Sequence, residues 1–284
     1  MDFTSCELSN RYYGGTERKI GVIVGDEPFM LKFQKRTAFG VRFNHLSEHL
    51  GSRVFACAGI PSQYTVLGTY KGEPVVACRD FLSENEQFVP FNDVGESTLD
   101  QDKETYQYEY ADIMRMLRDN SKLTDVEGTV AAFWEIFIID ALVGNFDRHG
   151  GNWGFVKHAG RYRLAPVFDN GSCLFPSLLD DQMARIIASD EETRKRVFDF
   201  PTSQVKLDGR KSSYYEVISS LAFPECNKAL ANVVARLDMD AVRACVADLA
   251  DASETRRLFY THMLDARYEL ILRSAYEKLM GGRS

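Results

Sequence analysis

The 284-residue sequence reads as an α+β chain of two unequal lobes, a small β-rich N-terminal lobe carrying one helix and a mostly α-helical C-terminal lobe. Three observations predict this. β-prone runs crowd the first 81 residues, helical patterning dominates from about residue 103, and a polar, acidic stretch lies between them. The expected division is 1–81 for the first lobe, 82–104 for a linker or mobile connector, and 105–284 for the second.

Within residues 18–34, "KIGVIV" and "PFMLKF" predict a hairpin turned at "GDE". A helix is expected from about Val41 to Cys57, because Phe43, Leu46, Leu50, Val54 and Cys57 recur at helical spacing and "GIP" then stops it. Strands near Tyr64–Tyr70 and Pro74–Cys78 are joined by "KGE". The connector carries "SENEQ" and "NDVGESTLDQD". Helices are expected at 103–119 and 127–144, in several pieces from 180 to 251, and at 254–280, where Ser253 is the N-cap and Gly281 and Gly282 end the helix. The exception is 153–168, where "WGFV", the turn "KHAG" and "YRLAPVF" predict a second hairpin.

Composition narrows the function. Hydrophobic residues make up 45% and charged residues 26%, a balance that fits a folded core rather than disorder. There are 34 basic and 41 acidic residues, a net charge of −7, which argues against a surface built to hold nucleic acid. The start, "MDFTSCELSN", lacks the basic and apolar run of a signal peptide. "TVAAFWEIFIIDALVG" is interrupted by Glu135 and Asp140 and is too short to span a bilayer, so no membrane partner is expected. Cys6, Cys57, Cys78, Cys173, Cys226 and Cys245 lie far apart in sequence, without paired ligand spacing; this points away from a disulfide framework or zinc site and toward a reducing cytoplasm.

The chemistry concentrates in "ALVGNFDRHGGNWGF", residues 141–155, directly after the most apolar segment. Phosphoryl transfer needs positioning, a carboxylate near the attacking hydroxyl, and oxygen ligands for magnesium. An acid followed five positions later by an asparagine supplies two of these, with Asp147 toward the hydroxyl and the amide oxygen of Asn152 toward a metal. Asp80 with Asn85 and Asp140 with Asn145 share that interval, so context decides: a buried helix before, glycines within, a hairpin after. The hairpin leads to "APVFDNGSCLF", which places Asp169 as a second metal ligand, and Mg²⁺ suits such a set of oxygens. The plain alternative makes Asp147 and Asn152 turn formers and Asp169 a helix cap.

Other parts belong to the first lobe. "YGGTERKIGVIV" puts Gly14 and Gly15 before a strand, where backbone N–H groups can cradle an anion. Lys32 either points to solvent from an edge strand or faces the cleft to hold phosphates. Glu48 either fixes that lysine or is a solvated surface acid. Backbone groups of Cys78, Arg79, Asp80 and Phe81 are placed to meet an adenine ring. His149 either contacts the transferring phosphate or is satisfied by a local carbonyl, and Arg148 either neutralises a buried acid such as Asp140 or is exposed.

On "YGGTERKIGVI", "FMLKF", "NFDRHGGNWGF" and "LAPVFDNGSCL", in that order, the chain resembles the HipA-like serine/threonine protein kinases, in particular their compact members. The resemblance implies a two-lobed protein-kinase-like fold and phosphorylation of a protein Ser/Thr by ATP and Mg²⁺. It implies Asp147 as the catalytic aspartate, Asn152 and Asp169 as metal ligands, Lys32 as the ATP-phosphate lysine and the glycine segment as the phosphate loop. It also implies autophosphorylation in that loop, for which Thr16 is the matching hydroxyl, with Ser9 and Thr4 nearby. Two departures stand out. The glycine segment begins near residue 12, leaving no room for the N-terminal subdomain with which toxin members contact their antitoxin, so the usual HipB-like antitoxin binding and a tRNA-synthetase target are not expected. Asn170 stands where the familiar kinase triplet has an aromatic. The loop also looks like that of phosphoinositide kinases, which keeps a lipid or small-molecule kinase as an alternative, beside a non-catalytic nucleotide-binding regulatory module.

Overall fold

The computed structural model describes residues 1–11, 13–14, 18–38, 40–94 and 108–282. The first third of the chain runs through β1 (Glu7–Leu8), β2 (Lys19–Val24), β3 (Glu27–Phe33), a ribbon of β4 (Lys35–Thr37) and β5 (Gly40–Arg42), helix α1 (Asn44–Cys57), β6 (Thr65–Tyr70) and β7 (Glu73–Arg79). Five of these strands form an antiparallel sheet in the order β1-β2-β3-β7-β6. The β6–β7 turn is made by Lys71 and Gly72, whose φ angles of +50° and +79° suit a tight hairpin of matching twist.

Alternation along β3 decides where its lysine goes. Phe29, Leu31 and Phe33 join Phe3, Val22, Tyr70, Val75 and Ala77 in an apolar cluster on one face of the sheet. Lys32 therefore points to the opposite face, where α1 packs across β6 and β7. β3 is central, with Lys32 level with Lys19 on one side and Val76 on the other, so the edge-strand alternative falls away. The helix starts at Asn44 rather than near Val41, because residues 40–42 pair with β4.

The remainder is mainly helical: α2 (Tyr110–Asp119), α3 (Val126–Val143), α4 (Asp180–Ile187), α5 (Asp190–Phe198), α6 (Tyr214–Ser220), α7 (Pro224–Arg236), α8 (Met239–Ala247) and α9 (Glu254–Arg267). After α9 the chain continues through a π-helical stretch, Tyr268–Arg273, into α10 (Ser274–Gly281). Helix α3 is apolar on nearly every side and forms the spine of the larger core. Asp125 caps it by accepting from Gly128 N at 2.8 Å, and Gly144 ends it at φ +61°. Ser253 caps α9, as its position predicts, by accepting from Arg256 N.

Two expectations change. The stretch read as a connector contains β8 (Gln87–Pro90), which pairs with β9 (Gly154–His158); β9 pairs in turn with β10 (Arg161–Leu164), giving a three-stranded sheet. Its short β-prone run, "QFVP", is masked in sequence by the acidic residues around it. A hairpin of β11 (Lys206–Leu207) and β12 (Arg210–Lys211) also interrupts the helical pieces, turned by Asp208 and Gly209 at φ +52° and +77°. The expected start of α2 and the end of the connector, residues 95–107, lie outside the described residues. Among the described residues, no helix is long and apolar enough to cross a membrane.

Candidate active site

Lys32, projecting from β3 toward α1, donates from Nζ to Glu48 Oε2 at 3.0 Å and to Asp169 Oδ1 at 2.9 Å. The lysine is 5% exposed and the glutamate 1%, so these charges persist only because they neutralise one another. Burial works against the ammonium, but Asp169 and Glu48 outweigh it and raise the lysine pKa well above its usual value. Lys32 in turn draws the Asp169 carboxyl down to about 2, against the opposing effect of burial. Unlike its partners, the Asp169 side chain keeps 40% of its surface exposed and so meets solvent. Its backbone sits at φ +57°, a left-handed conformation that aspartate tolerates better than most residues.

Arg148 holds the next layer together. It is buried and forms a two-pronged pair with Asp140, Nε to Oδ2 and a terminal nitrogen to Oδ1, both at 3.0 Å. One guanidinium nitrogen donates to both Asn152 O at 3.1 Å and Phe168 O at 2.5 Å. The other reaches Asn170 Oδ1 at 2.6 Å. One side chain thus ties the end of α3, the loop after it and the segment around Asp169. Asn170, fully buried, donates its backbone N–H to Glu48 Oε1 at 3.1 Å and its side-chain amide to Ser52 Oγ at 3.0 Å. A closed polar fabric therefore runs from Asp140 through Arg148 and Asn170 to Glu48 and Lys32.

The loop itself is braced from below. Asn145 donates to Asp140 Oδ1 at 2.9 Å and accepts from Asp147 N at 2.9 Å, while Tyr214 donates to Asn145 O at 2.8 Å. Among the described residues the Asp147 carboxylate makes no hydrogen bond or ion pair, so it is available to a ligand. Asn152 donates its amide nitrogen to Asp147 O at 2.7 Å, which turns its Oδ1 away from that contact. His149 is exposed, and its Nδ1 accepts from Gly151 N at 3.0 Å. The ring is thus turned onto its own loop, and no contact brings it to Lys32 or Asp169.

In the first lobe, Gly15 and Thr16 lie outside the described residues. Gly14 has open space where a side chain would stand, and Lys19 Nζ donates to its carbonyl. The stem of this loop is moored to Asp80, whose Oδ2 accepts from Arg11 at 2.6 Å and from the Tyr13 hydroxyl at 3.2 Å. Backbone groups of Cys78–Phe81 are not equally free. Cys78 sits within β7, flanked by Met30 and Thr65. Arg79 N donates to Tyr64 O, Arg79 O accepts from Gln63, and Asp80 N donates to Pro28 O. Among the described residues, the Phe81 N–H and C=O make no hydrogen bond. The Phe81 ring lies 5.7 Å from that of Phe168, and Phe88 of β8 lies 5.1 Å from Phe168, forming an aromatic wall beside the Asp169 segment.

The donor set fits a hard divalent ion. The outward Asn152 Oδ1 and the second oxygen of Asp169 are oxygen ligands of the kind Mg²⁺ takes together with phosphates and water. Among the described residues there is no cluster of three or more His, Cys, Asp or Glu that holds a metal by itself. Sequence reasoning missed Asn170, Ser52, Arg11 and Tyr13. Asn170 was visible only as a departure from an aromatic; the other three act through contacts between segments far apart in sequence.

The chain is similar to known proteins over nearly its whole length. Residues 12–255 match the HipA-like C-terminal domain family. Serine/threonine-protein kinase CtkA of Helicobacter pylori is 30% identical, the match covering 98% of this chain and 88% of that protein. The crystal structure of the H. pylori proinflammatory kinase CtkA superposes with a TM-score of 0.94 at 29% identity, covering 100% of this chain and 99% of the other. HipA of Shewanella oneidensis, in a complex with HipB and operator DNA, shares the fold at a TM-score of 0.60 and 15% identity, covering 98% of this chain and 66% of the other.

Proposed function

The chain belongs to the HipA-like C-terminal domain family of serine/threonine kinases, and from that premise we propose that it transfers the γ-phosphate of ATP, with Mg²⁺, to a protein serine or threonine and also phosphorylates itself. The observation that carries this reading is Lys32 bonded at once to Glu48 and Asp169, with Arg148 joining the Asp169 segment to the loop of Asp147 and Asn152. A paired cation, two oxygen donors and an unengaged carboxylate held in place before substrate arrives support this reading, because phosphoryl transfer gains most of its rate from such preorganisation.

Each residue then has a task. The Asp147 carboxylate orients the acceptor hydroxyl and takes its proton. Asn152 Oδ1 and the Asp169 carboxylate hold the magnesium ion, which when bound offsets charge on the phosphates. Lys32 keeps one ammonium hydrogen for the α- and β-phosphates while Glu48 fixes its position. The backbone of Gly14 and Gly15 cradles the phosphates, and Phe81 supplies the backbone contact to adenine. Thr16 is the self-phosphorylation hydroxyl. Residues 1–81 and 105–284 act as the two lobes that enclose the nucleotide.

Incubation with ATP and Mg²⁺ followed by intact-mass measurement tests this. Wild type gains about 80 Da per phosphate, and Asp147→Ala gains none. Full transfer by the Asp147→Ala protein, or none by wild type toward itself and a generic protein acceptor, sinks the proposal.

A further inference from the structure

Cys57 closes α1 and Cys245 lies on α8, 188 residues later, yet their sulfurs are 3.6 Å apart. Sequence spacing gives no hint of this pairing. Among the described residues, no other two cysteines show a sulfur–sulfur contact. We propose that Cys57 and Cys245 are an oxidisable pair that closes into an intrachain disulfide under peroxide, tying the carboxyl end of α1 to α8.

Three features support it. First, the α1–α8 interface is held beside the pair: one turn before Cys57, Arg53 pairs with Asp248, which caps the end of α8, at 3.0 Å. The end of α1 is also moored to α7, where Arg236 Nε donates to Ala58 O at 2.5 Å. The sulfurs must close to about 2.05 Å, and with the helices already in contact, side-chain rotation does most of that work. Second, access is graded. Cys57 is half-buried and Cys245 is 4% exposed, so oxidant meets Cys57 and finds a resolving thiol directly behind it. Third, the bridge lands on the helix that holds Glu48 against Lys32, and would fix the end of that helix to the helical part of the chain.

The chemistry balances. The Cys57 thiolate attacks one oxygen of hydrogen peroxide; the O–O bond breaks, hydroxide leaves and takes a proton as water, and Cys57 becomes a sulfenic acid. The Cys245 sulfur then attacks the Cys57 sulfur; the S–O bond breaks and a second water forms. Two thiols are oxidised to one disulfide while one peroxide is reduced to two waters. Burial, with the adjacent thiol, pushes the Cys57 pKa up to about 11, so the first step is slow near neutrality and the bridge records sustained exposure.

The full chain, treated with hydrogen peroxide at about pH 8.5 without ATP, tests this independently of any kinase activity. The expected result is a loss of about 2 Da, a tryptic peptide joining Cys57 to Cys245, reversal by dithiothreitol, and a rise of several degrees in the unfolding midpoint. Cys57→Ser and Cys245→Ser each lose all four signs; should either fail to fold, the peptide map of wild type decides alone. An unchanged mass, a gain of about 32 Da at Cys57 as sulfinic acid, a bridge to another cysteine, or one between two chains overturns the proposal.

Discussion

Arg148 is the residue on which the most contacts converge, and it touches neither end of the reaction proposed above. Replacing it by methionine leaves Asp140 charged and buried without its counter-ion, and removing one partner of such a pair costs about 3–5 kcal/mol. Urea unfolding of Arg148→Met should register a loss of that order; a loss under 1 kcal/mol shows that Asp140 finds another partner. Arg148→Lys is the sharper probe. It keeps the charge, but an ammonium cannot serve Asp140, Asn152 O, Phe168 O and Asn170 with one planar fork. Phosphate transfer should therefore fall at least tenfold while the fold survives, and an unimpaired rate refutes the positioning role. At this scale the sequence revealed residue types better than partners. Asp147, Asn152 and Asp169 stand out by type and order. Whether Arg148 pairs with Asp140 or meets solvent depends on how the chain leaves α3 at Gly144, which no spacing encodes.

Helix α1 is the element that links sheet, site and helices, and two of its features make it sensitive. His45 and His49 have pKa values lowered to about 4, in both cases chiefly by burial. His45 Nδ1 has no partner, and His49 Nδ1 meets Thr65 Oγ1 at 2.9 Å. Both rings are neutral when folded, whereas the unfolded chain takes up protons below about 6.5. Stability is thus fully present above that value and declines as pH falls toward 4, by roughly 2 kcal/mol per histidine at pH 5. The melting temperature should drop between pH 7 and 5, less steeply in His49→Gln; equal slopes contradict burial as the cause. The second feature is Gly51, where an added Cβ would stand 2.7 Å from Asn170 Cβ. Gly51→Ala improves helix propensity yet should destabilise the protein and slow phosphate transfer, because Asn170 must shift. A stabilised, fully active variant would show that this contact yields freely. The apolar stripe of α1 was readable from its period. Its start was not, since residues 40–42 satisfy the same hydrophobic pattern when paired with β4.

Across the whole molecule, the sheet and the helices share α1, which packs on β6 and β7 with one side and on α3 and α8 with another. The two regions should then unfold together. Both tryptophans, Trp134 and Trp153, lie in the helical region, so their fluorescence reports only that part while far-ultraviolet circular dichroism reports both. Coincident transitions are expected; an earlier step seen by dichroism alone means that the sheet melts separately. The order of β-rich and helical regions was legible because turn chemistry and period are local signals. The third strand of the β10-β9-β8 sheet was not, because β8 draws its stability from β9, more than sixty residues later. One consequence reaches pharmacology. In enzymes with an aromatic after the metal-binding aspartate, that ring can swing outward and vacate a greasy slot into which inhibitors are built. Here the corresponding position is Asn170, bolted by Glu48, Ser52 and Arg148. Evicting it strands several polar groups without solvent, so compounds of that design should find no slot to enter.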